Sequence, residues 1–326
     1  MRPVCVIGLG LIGGSVLRAA QAAGRAVWGY TAASSDVEAA RADGFDIAAS
    51  VDDALARAAE RDAIVVIAVP LPAVDEVLAR VAAVAPECLL TDVVSVKGPV
   101  VASVRRIVPG ARFAGGHPMA GVAASGWGVG SATLFDKAAW VVTAEADTAL
   151  PTWRIMAELA LDCGAHVVPI SSSRHDAAVA RVSHLPHVLA AVLASTGADG
   201  GALALALAAG SFTDGTRVAG SRPELVLAMC EGNRDELLAA VDEALGKLGA
   251  ARGALASTGS LKATIQSGSA GRKALVAHGE APRGGATIDL AAPGALDALW
   301  DLGERGGRIM ALHGDIAEAD VPQEQP

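Results

Sequence analysis

Over the first half of the chain, short apolar runs alternate with longer stretches in which apolar residues recur at helical spacing. Residues 3–8 read as a buried strand, 11–23 as a helix, 26–30 as a strand and 36–43 as a helix. Residues 52–60 open with an acidic turn and read as a helix. Residues 63–69 (AIVVIAV) are almost purely β-branched and apolar, the pattern of a strand covered on both faces. Residues 71–84 predict a helix, 88–93 a strand and 97–107 a helix closed by Pro109-Gly110. The alternation continues through 138–143, 152–161 and 166–170. Such an order predicts an α/β fold with a doubly wound parallel sheet and helices on both faces.

The pattern changes at Ser171-Ser172-Ser173. Helical stretches follow at 174–196, 202–209, 223–231 and 234–256, with no strand-like run before about residue 267. This predicts a dinucleotide-binding domain over 1–170 followed by an all-α domain over 171–267. Residues 268–285, rich in Gly, Arg and Lys, read as a linker. Residues 286–326 form a strand–helix–strand tail, too short to be a stable domain alone. We expect it to pack on the helical domain or to form part of an effector site, and residues 321–326 to fray.

Composition narrows the class. The chain has 326 residues, 52% hydrophobic and 19% charged, which excludes a disordered protein. A formal net charge of -9 argues against a nucleic-acid binder. The uncharged stretch 182–198 contains His184, Pro186 and His187, and 118–135 contains four glycines; neither reads as a membrane span. The N-terminus reads as the start of a strand and not as a signal peptide. The four cysteines form no CxxC pair, so no metal centre and no disulfide framework is expected, and a cytoplasmic setting fits best.

The strongest local signal is Gly8-Leu9-Gly10-Leu11-Ile12-Gly13 between a predicted strand and a predicted helix. Gly8 permits the tight turn, Gly10 lets the backbone approach a pyrophosphate, and Gly13 lets the helix pack on the strand. The N–H groups around Leu11 and Ile12 then face the phosphates at the helix start. Val69, ending the third strand run, joins the expected cofactor-binding set. An acidic residue is expected at the end of the second strand to hold a ribose, and Thr31 stands there. Asp36 is a nearby carboxylate, and no Arg offers itself to a 2′-phosphate. NAD is favoured, with NADP open.

Candidate chemistry lies on the loops after later strands. In an open parallel sheet these loops line the cofactor crevice. Ser95 falls in Asp92-Val93-Val94-Ser95-Val96-Lys97-Gly98, and His117 in Gly115-Gly116-His117-Pro118-Met119-Ala120-Gly121. A histidine there can take a hydroxyl proton as hydride leaves, with Ser95 orienting its ring. A loop histidine bonded to backbone is the other reading. His184 and His187 share one helix face, as a pocket pair, a metal pair or plain packing. Arg217, in an apolar neighbourhood, suits a bidentate bond to a substrate carboxylate or a pairing with Asp214.

The fragments GLGLIGGS, DVVSVKG, GGHPMAG, SHLPH and FTDGTRVA occur in an order that resembles the prephenate/arogenate dehydrogenases, over residues 4–256. The resemblance implies a Rossmann-type domain followed by a helical domain that forms a homodimer. It implies oxidative decarboxylation of prephenate to 4-hydroxyphenylpyruvate, or of arogenate to tyrosine, with hydride passing to NAD or NADP. Carried over by motif, His117 takes the ring hydroxyl proton and Ser95 holds it. Arg217, His184, His187 and Lys97 contact substrate, although Lys97 also suits a structural place at a helix start. The stretch Val122-Ala123-Ala124 departs from the family's polar pattern, and no fused mutase domain is expected. The competing readings are another Rossmann-plus-helical dehydrogenase, such as a 3-hydroxyacid dehydrogenase or imine reductase, and a regulator that binds NAD(P) without chemistry.

Overall fold

The computed structural model describes residues 1–121 and 124–323. They divide into two compact units. The first holds residues 1–176 and 285–321, and the second residues 177–284 with 322 and 323.

The first unit opens with a five-stranded parallel sheet in the order β2-β1-β3-β4-β5. Its strands are β1 (Val4–Ile7), β2 (Val27–Tyr30), β3 (Ile64–Ile67), β4 (Leu89–Asp92) and β5 (Arg112–Phe113). The helices between them are α1 (Leu11–Ala22), α2 (Ser34–Ala42), α3 (Val51–Glu60), α4 (Val74–Val84) and α5 (Gly98–Ile107). β1, β3 and β4 are buried along their whole length, as expected for strands covered on both faces. Ile7 pairs with Ile67, and Ile67 with Asp92, so the ends of the first turn and of β4 lie along one sheet edge. Helix α3 starts as its acidic turn suggested: the Ser50 hydroxyl accepts a bond of 3.1 Å from Asp53 N.

A second sheet begins with β6 (Gly116–Pro118), β7 (Ala139–Thr143) and β8 (His166–Ile170), with α6 (Leu150–Asp162) between the last two. β6 runs antiparallel to β7, and β7 parallel to β8. His117 is therefore on a short strand opposite Val141, not on a loop. One proline and three glycines around β6 hid it from the periodicity.

The second unit is helical. Helix α7 (Ser172–Val179) passes through a π-turn, Ala180–His184, into α8 (Leu185–Asp199). The unit boundary thus falls inside a helix, a few residues past the expected Ser171. There follow α9 (Gly201–Ala206), α10 (Gly210–Thr216), α11 (Pro223–Gly232), α12 (Arg234–Thr258) and α13 (Lys262–Glu280). The expected linker over 268–285 is thus largely α13. Its glycines cost helix propensity, but Ala, Lys, Arg and Gln around them carry the helix through. Among the described residues one helix, Ser172–Asp199, is long and apolar enough by composition to cross a membrane. It also carries Arg174, His175, Asp176 and Arg181 near its start.

The tail does not pack as expected. It contributes β9 (Arg283–Asp289), α14 (Ala295–Glu304), β10 (Arg308–His313) and β11 (Ile316–Pro322) to the second sheet, whose order is β6-β7-β8-β10-β11-β9. β10 lies antiparallel to β8, with Ile309 opposite Val167. Trp300 Nε1 donates to the Ala144 carbonyl at 2.8 Å, and Leu299, Leu302 and Ile309 are buried. A segment too small for its own core is stabilised by completing another. Residues 321 and 322, expected to fray, close β11, and 324–326 lie outside the described residues.

Leu299→Ala should therefore destabilise the protein by about 2–5 kcal/mol, read from the denaturant midpoint at constant slope. A change below roughly 0.5 kcal/mol would show that the tail is not part of the core.

Candidate active site

The cofactor turn is built by close approach. Gly8 has φ +100°, and a Cβ there would stand 2.5 Å from the Ala68 carbonyl oxygen. At Gly10 nothing lies within 4 Å of where a Cβ would be, which leaves space for a phosphate. Gly13 is buried in α1, and Leu11 and Ile12 are half-buried in its first turn. A cavity of about 370 Å³ runs from Gly8 and Gly10 past Thr31 and Val69. Sequence reasoning missed its α4 wall, Glu76, Val77 and Arg80. Arg80 is held by Asp52, with Nε to Oδ1 at 2.7 Å. Asp36 Oδ1 accepts Trp127 N at 3.1 Å, while Trp127 Nε1 bonds Asp43 at 2.8 Å.

Beyond the end of β4 lies a buried polar network. Asp92 and Lys97 are both 0% exposed and form an ion pair. Asp92 also accepts Val94 N at 3.0 Å and Gly116 N at 3.2 Å, and Lys97 Nζ donates to the Gly116 carbonyl at 2.5 Å. Burial pushes the Asp92 carboxyl above the usual carboxylate range and the Lys97 amine below its own, while their attraction opposes both. Gly116 is obligatory, since a Cβ there would meet the Asp92 carbonyl oxygen at 2.5 Å. Lys97 thus has no surface left for a substrate. Its ammonium is satisfied inside the protein, which overturns the substrate-binding assignment.

A second carboxylate faces the same turn. Asp176 accepts Lys97 N at 2.8 Å and Gly98 N at 2.7 Å, capping α5 from another helix. His175 Nδ1 lies 2.7 Å from Asp176 Oδ1, and His175 Nε2 lies 2.8 Å from His117 Nδ1. The two imidazoles meet edge to face, with centroids 5.1 Å apart. Burial holds His175, which is 3% exposed, below the ordinary histidine value against the opposing bond to Asp176. For Asp176 burial also works against the charge. The bonds from His175, Gly98 and Lys97 outweigh it and hold the carboxyl below its usual range.

His117 itself is half-buried, and its Nδ1 is engaged by His175 rather than by the expected Ser95. Ser95 is half-buried on the β4–α5 turn. The sequence offered only a weak signal for His175 and Asp176, a His-Asp pair at a helix start.

In the second unit His184 is 1% exposed, and its Nδ1 lies 3.1 Å from the Asn233 amide. His187 is half-buried, with Nδ1 enclosed and, among the described residues, without a hydrogen-bond partner. Arg217 is exposed at the start of the turn Arg217–Gly220. Its expected apolar burial is absent, and among the described residues it forms no ion pair with Asp214. Val122 and Ala123, in the departing stretch, lie outside the described residues.

Two family models match the chain. "Prephenate dehydrogenase, nucleotide-binding domain" covers residues 16–169, and "Prephenate dehydrogenase, dimerization domain" covers 171–260. A prephenate dehydrogenase of Bacillus subtilis is 32% identical over 74% of this chain, which spans 66% of that relative's length. A Corynebacterium glutamicum structure, provisionally named a prephenate dehydrogenase, is 43% identical with a TM-score of 0.88, over 94% of this chain and 98% of that one. A prephenate dehydrogenase of A. aeolicus, in complex with hydroxyphenyl propionate and NAD+, shares the fold. Its TM-score is 0.76 at 24% identity, over 84% of this chain and 98% of that one.

Lys97→Met should leave Asp92 buried without its partner and destabilise the fold by about 3–5 kcal/mol in denaturant unfolding. Replacing both residues by apolar ones should recover most of that loss. Parent-like stability of the single variant would contradict the buried pair.

Proposed function

The chain belongs to the prephenate dehydrogenase family, and on that premise we propose that it decarboxylates prephenate oxidatively to 4-hydroxyphenylpyruvate, with NAD+ as hydride acceptor. The observation that carries this reading is His117, half-buried on β6 and hydrogen-bonded at Nδ1 by the buried His175. The Gly8–Gly13 turn and the cavity past Thr31 suit a dinucleotide, with Gly10 open toward its phosphates. NAD is favoured over NADP because Arg80, the guanidinium lining that cavity, is already held by Asp52. Thr31 then offers a hydroxyl to the ribose.

When bound, NAD+ takes the hydride that leaves the hydroxyl-bearing ring carbon. His117 accepts the proton of that hydroxyl as the carbon–oxygen bond gains double-bond character. The ring carboxylate departs as carbon dioxide, and its bonding electrons make the ring aromatic. His117 then returns the proton to the phenolate oxygen, so protons balance over the cycle. Ser95, on the loop beyond the carboxyl end of β4, serves the nicotinamide side of the site. Arg217 binds a substrate carboxylate, for which an exposed guanidinium with no ion pair among the described residues is suited. His187 lines the substrate pocket, and His184, held by Asn233, supports it.

The partner is a second copy of the chain, joined through residues 171–260. The dimerization-domain match supports this. So do large exposed apolar side chains in the second unit, among them Val182, Val192, Leu203, Leu207 and Leu248.

Initial rates with prephenate and with arogenate, each with NAD+ and NADP+, test the reading. The highest kcat/KM is expected for prephenate with NAD+, and a faster rate with arogenate would overturn the substrate. His117→Asn should lower kcat by about 10²–10⁴-fold while NAD+ binding persists. Arg217→Ala should raise the KM for prephenate by about 10-fold or more, since a charge-assisted bond is lost. Unchanged kinetics in the latter would remove Arg217 from the site. Sedimentation should give twice the chain mass, and Leu248→Glu should shift the protein toward monomer.

A further inference from the structure

We propose that His175 and Asp176 are positioning residues that fix His117 as the tautomer protonated on Nδ1, so that Nε2 is the nitrogen presented as the base. The proposal rests on the reading of His117 as the proton acceptor, but its geometry stands apart from the identity of the substrate.

Hydrogen-bond polarity along the chain of groups carries the inference. Asp176 accepts two backbone N–H groups at the start of α5, at 2.8 and 2.7 Å, so its carboxylate is an acceptor throughout. His175 Nδ1, 2.7 Å from Asp176 Oδ1, must then donate. A neutral imidazole that donates through Nδ1 has only a lone pair on Nε2. Burial favours that neutral form of His175. The atom facing this lone pair, 2.8 Å away, is His117 Nδ1, which must therefore carry a proton. Neutral His117 is left with its lone pair on Nε2. The opposite tautomer of His117 would set two acceptors against each other in a buried contact.

The same relay stabilises the imidazolium that forms when His117 takes a proton. Its Nδ1–H already points at an acceptor, backed by the negative charge of Asp176. The other charged groups of this network are Asp92 and Lys97, which neutralise each other as an ion pair on the β4 and α5 side. Asp176 is thus the carboxylate whose charge the relay passes to the base, although it reaches no substrate itself. A comparable logic governs a catalytic histidine whose buried carboxylate sets the tautomer, where carboxylate-to-amide replacement lowers turnover by about 10⁴-fold with geometry retained.

Asp176→Asn tests the relay. The amide removes the negative charge in either orientation; with its N–H in the place of Oδ1, which accepts both His175 and Lys97 N, it also reverses both tautomers. Turnover is expected to fall at least about 100-fold, with the KM for prephenate and the affinity for NAD+ within roughly threefold of the parent. In the residual activity the acidic limb of kcat should move to lower pH, because the imidazolium of His117 loses its carboxylate support. His175→Gln, which offers an N–H to Asp176 and a carbonyl to His117, should retain turnover within about tenfold, whereas His175→Leu should lose about 100-fold. Parent-like turnover and acidic limb in Asp176→Asn would overturn the proposal, as would equal losses in folded His175→Gln and His175→Leu. Ring-nitrogen NMR of the parent without substrate, assigned against His117→Asn, gives an independent decision. A protonated Nδ1 and unprotonated Nε2 on His117 support the relay, and the reverse pattern overturns it. If the parent failed to oxidise prephenate, the substrate would be wrong while the NMR result still judged the relay.

Discussion

An ammonium ion held away from water survives only where a carboxylate and further acceptors replace its hydration. Lys97 is in that position, fully buried against Asp92 and the Gly116 carbonyl. The ion pair joins the end of β4, which belongs to the parallel sheet, to β6, which belongs to the second sheet. Asp92 reinforces the junction by accepting Gly116 N. His117 is the next residue along β6, so the position of its backbone is set by a contact that leaves no room for adjustment. Much of what reads as active-site motif, the aspartate, the lysine and the paired glycines, is the machinery of this junction. What the junction positions is the imidazole of His117.

Asp176 acts on the same turn from the opposite side. Its carboxylate replaces the missing helical acceptors at the start of α5 and at the same time holds His175. The turn from Trp127 to Ser131 is tied down as well. Trp127 bonds Asp36 and Asp43, and the Arg18 guanidinium lies 3.5 Å from the centre of its ring. Ser131 N bonds the Ser15 hydroxyl of α1 at 3.0 Å. Helix α1, which follows the glycine-rich turn, and the segment from Trp127 to Ser131 are therefore one assembly. Asp36, a natural candidate for a ribose in the sequence, is occupied in that clasp.

The second unit has a different economy. Its buried apolar set is small, with Val179, Ala180, Ala190, Leu237 and Ala240, and many of its leucines face outward. Alanine-rich helices offer little area to one another, so much of the apolar surface of this unit stays exposed within a single chain. The polar exception inside it is His184, buried against Asn233. The same exposed apolar surface gives the helix Ser172–Asp199 the length and composition of a membrane span.

The local elements were legible in the chain because periodicity records burial directly. A strand covered on both faces must be apolar throughout, as residues 63–69 are, and a turn against phosphate must lack side chains, as Gly8 and Gly10 do. The order of strand and helix then left few topologies open. What the sequence could not contain was the partnership of residues remote along it. His117 and His175 are 58 positions apart, and Lys97 and Asp176 are 79 apart. A buried lysine looks the same in sequence as a substrate-binding one, and a glycine-rich helix such as α13 looks like a linker. The tail likewise shows its strands but not the edge of β8 on which they pair. Periodicity fixes which face of an element is apolar. Only the folded chain decides which polar groups meet behind that face, because each buried donor must find its acceptor among all the segments that packing brings together.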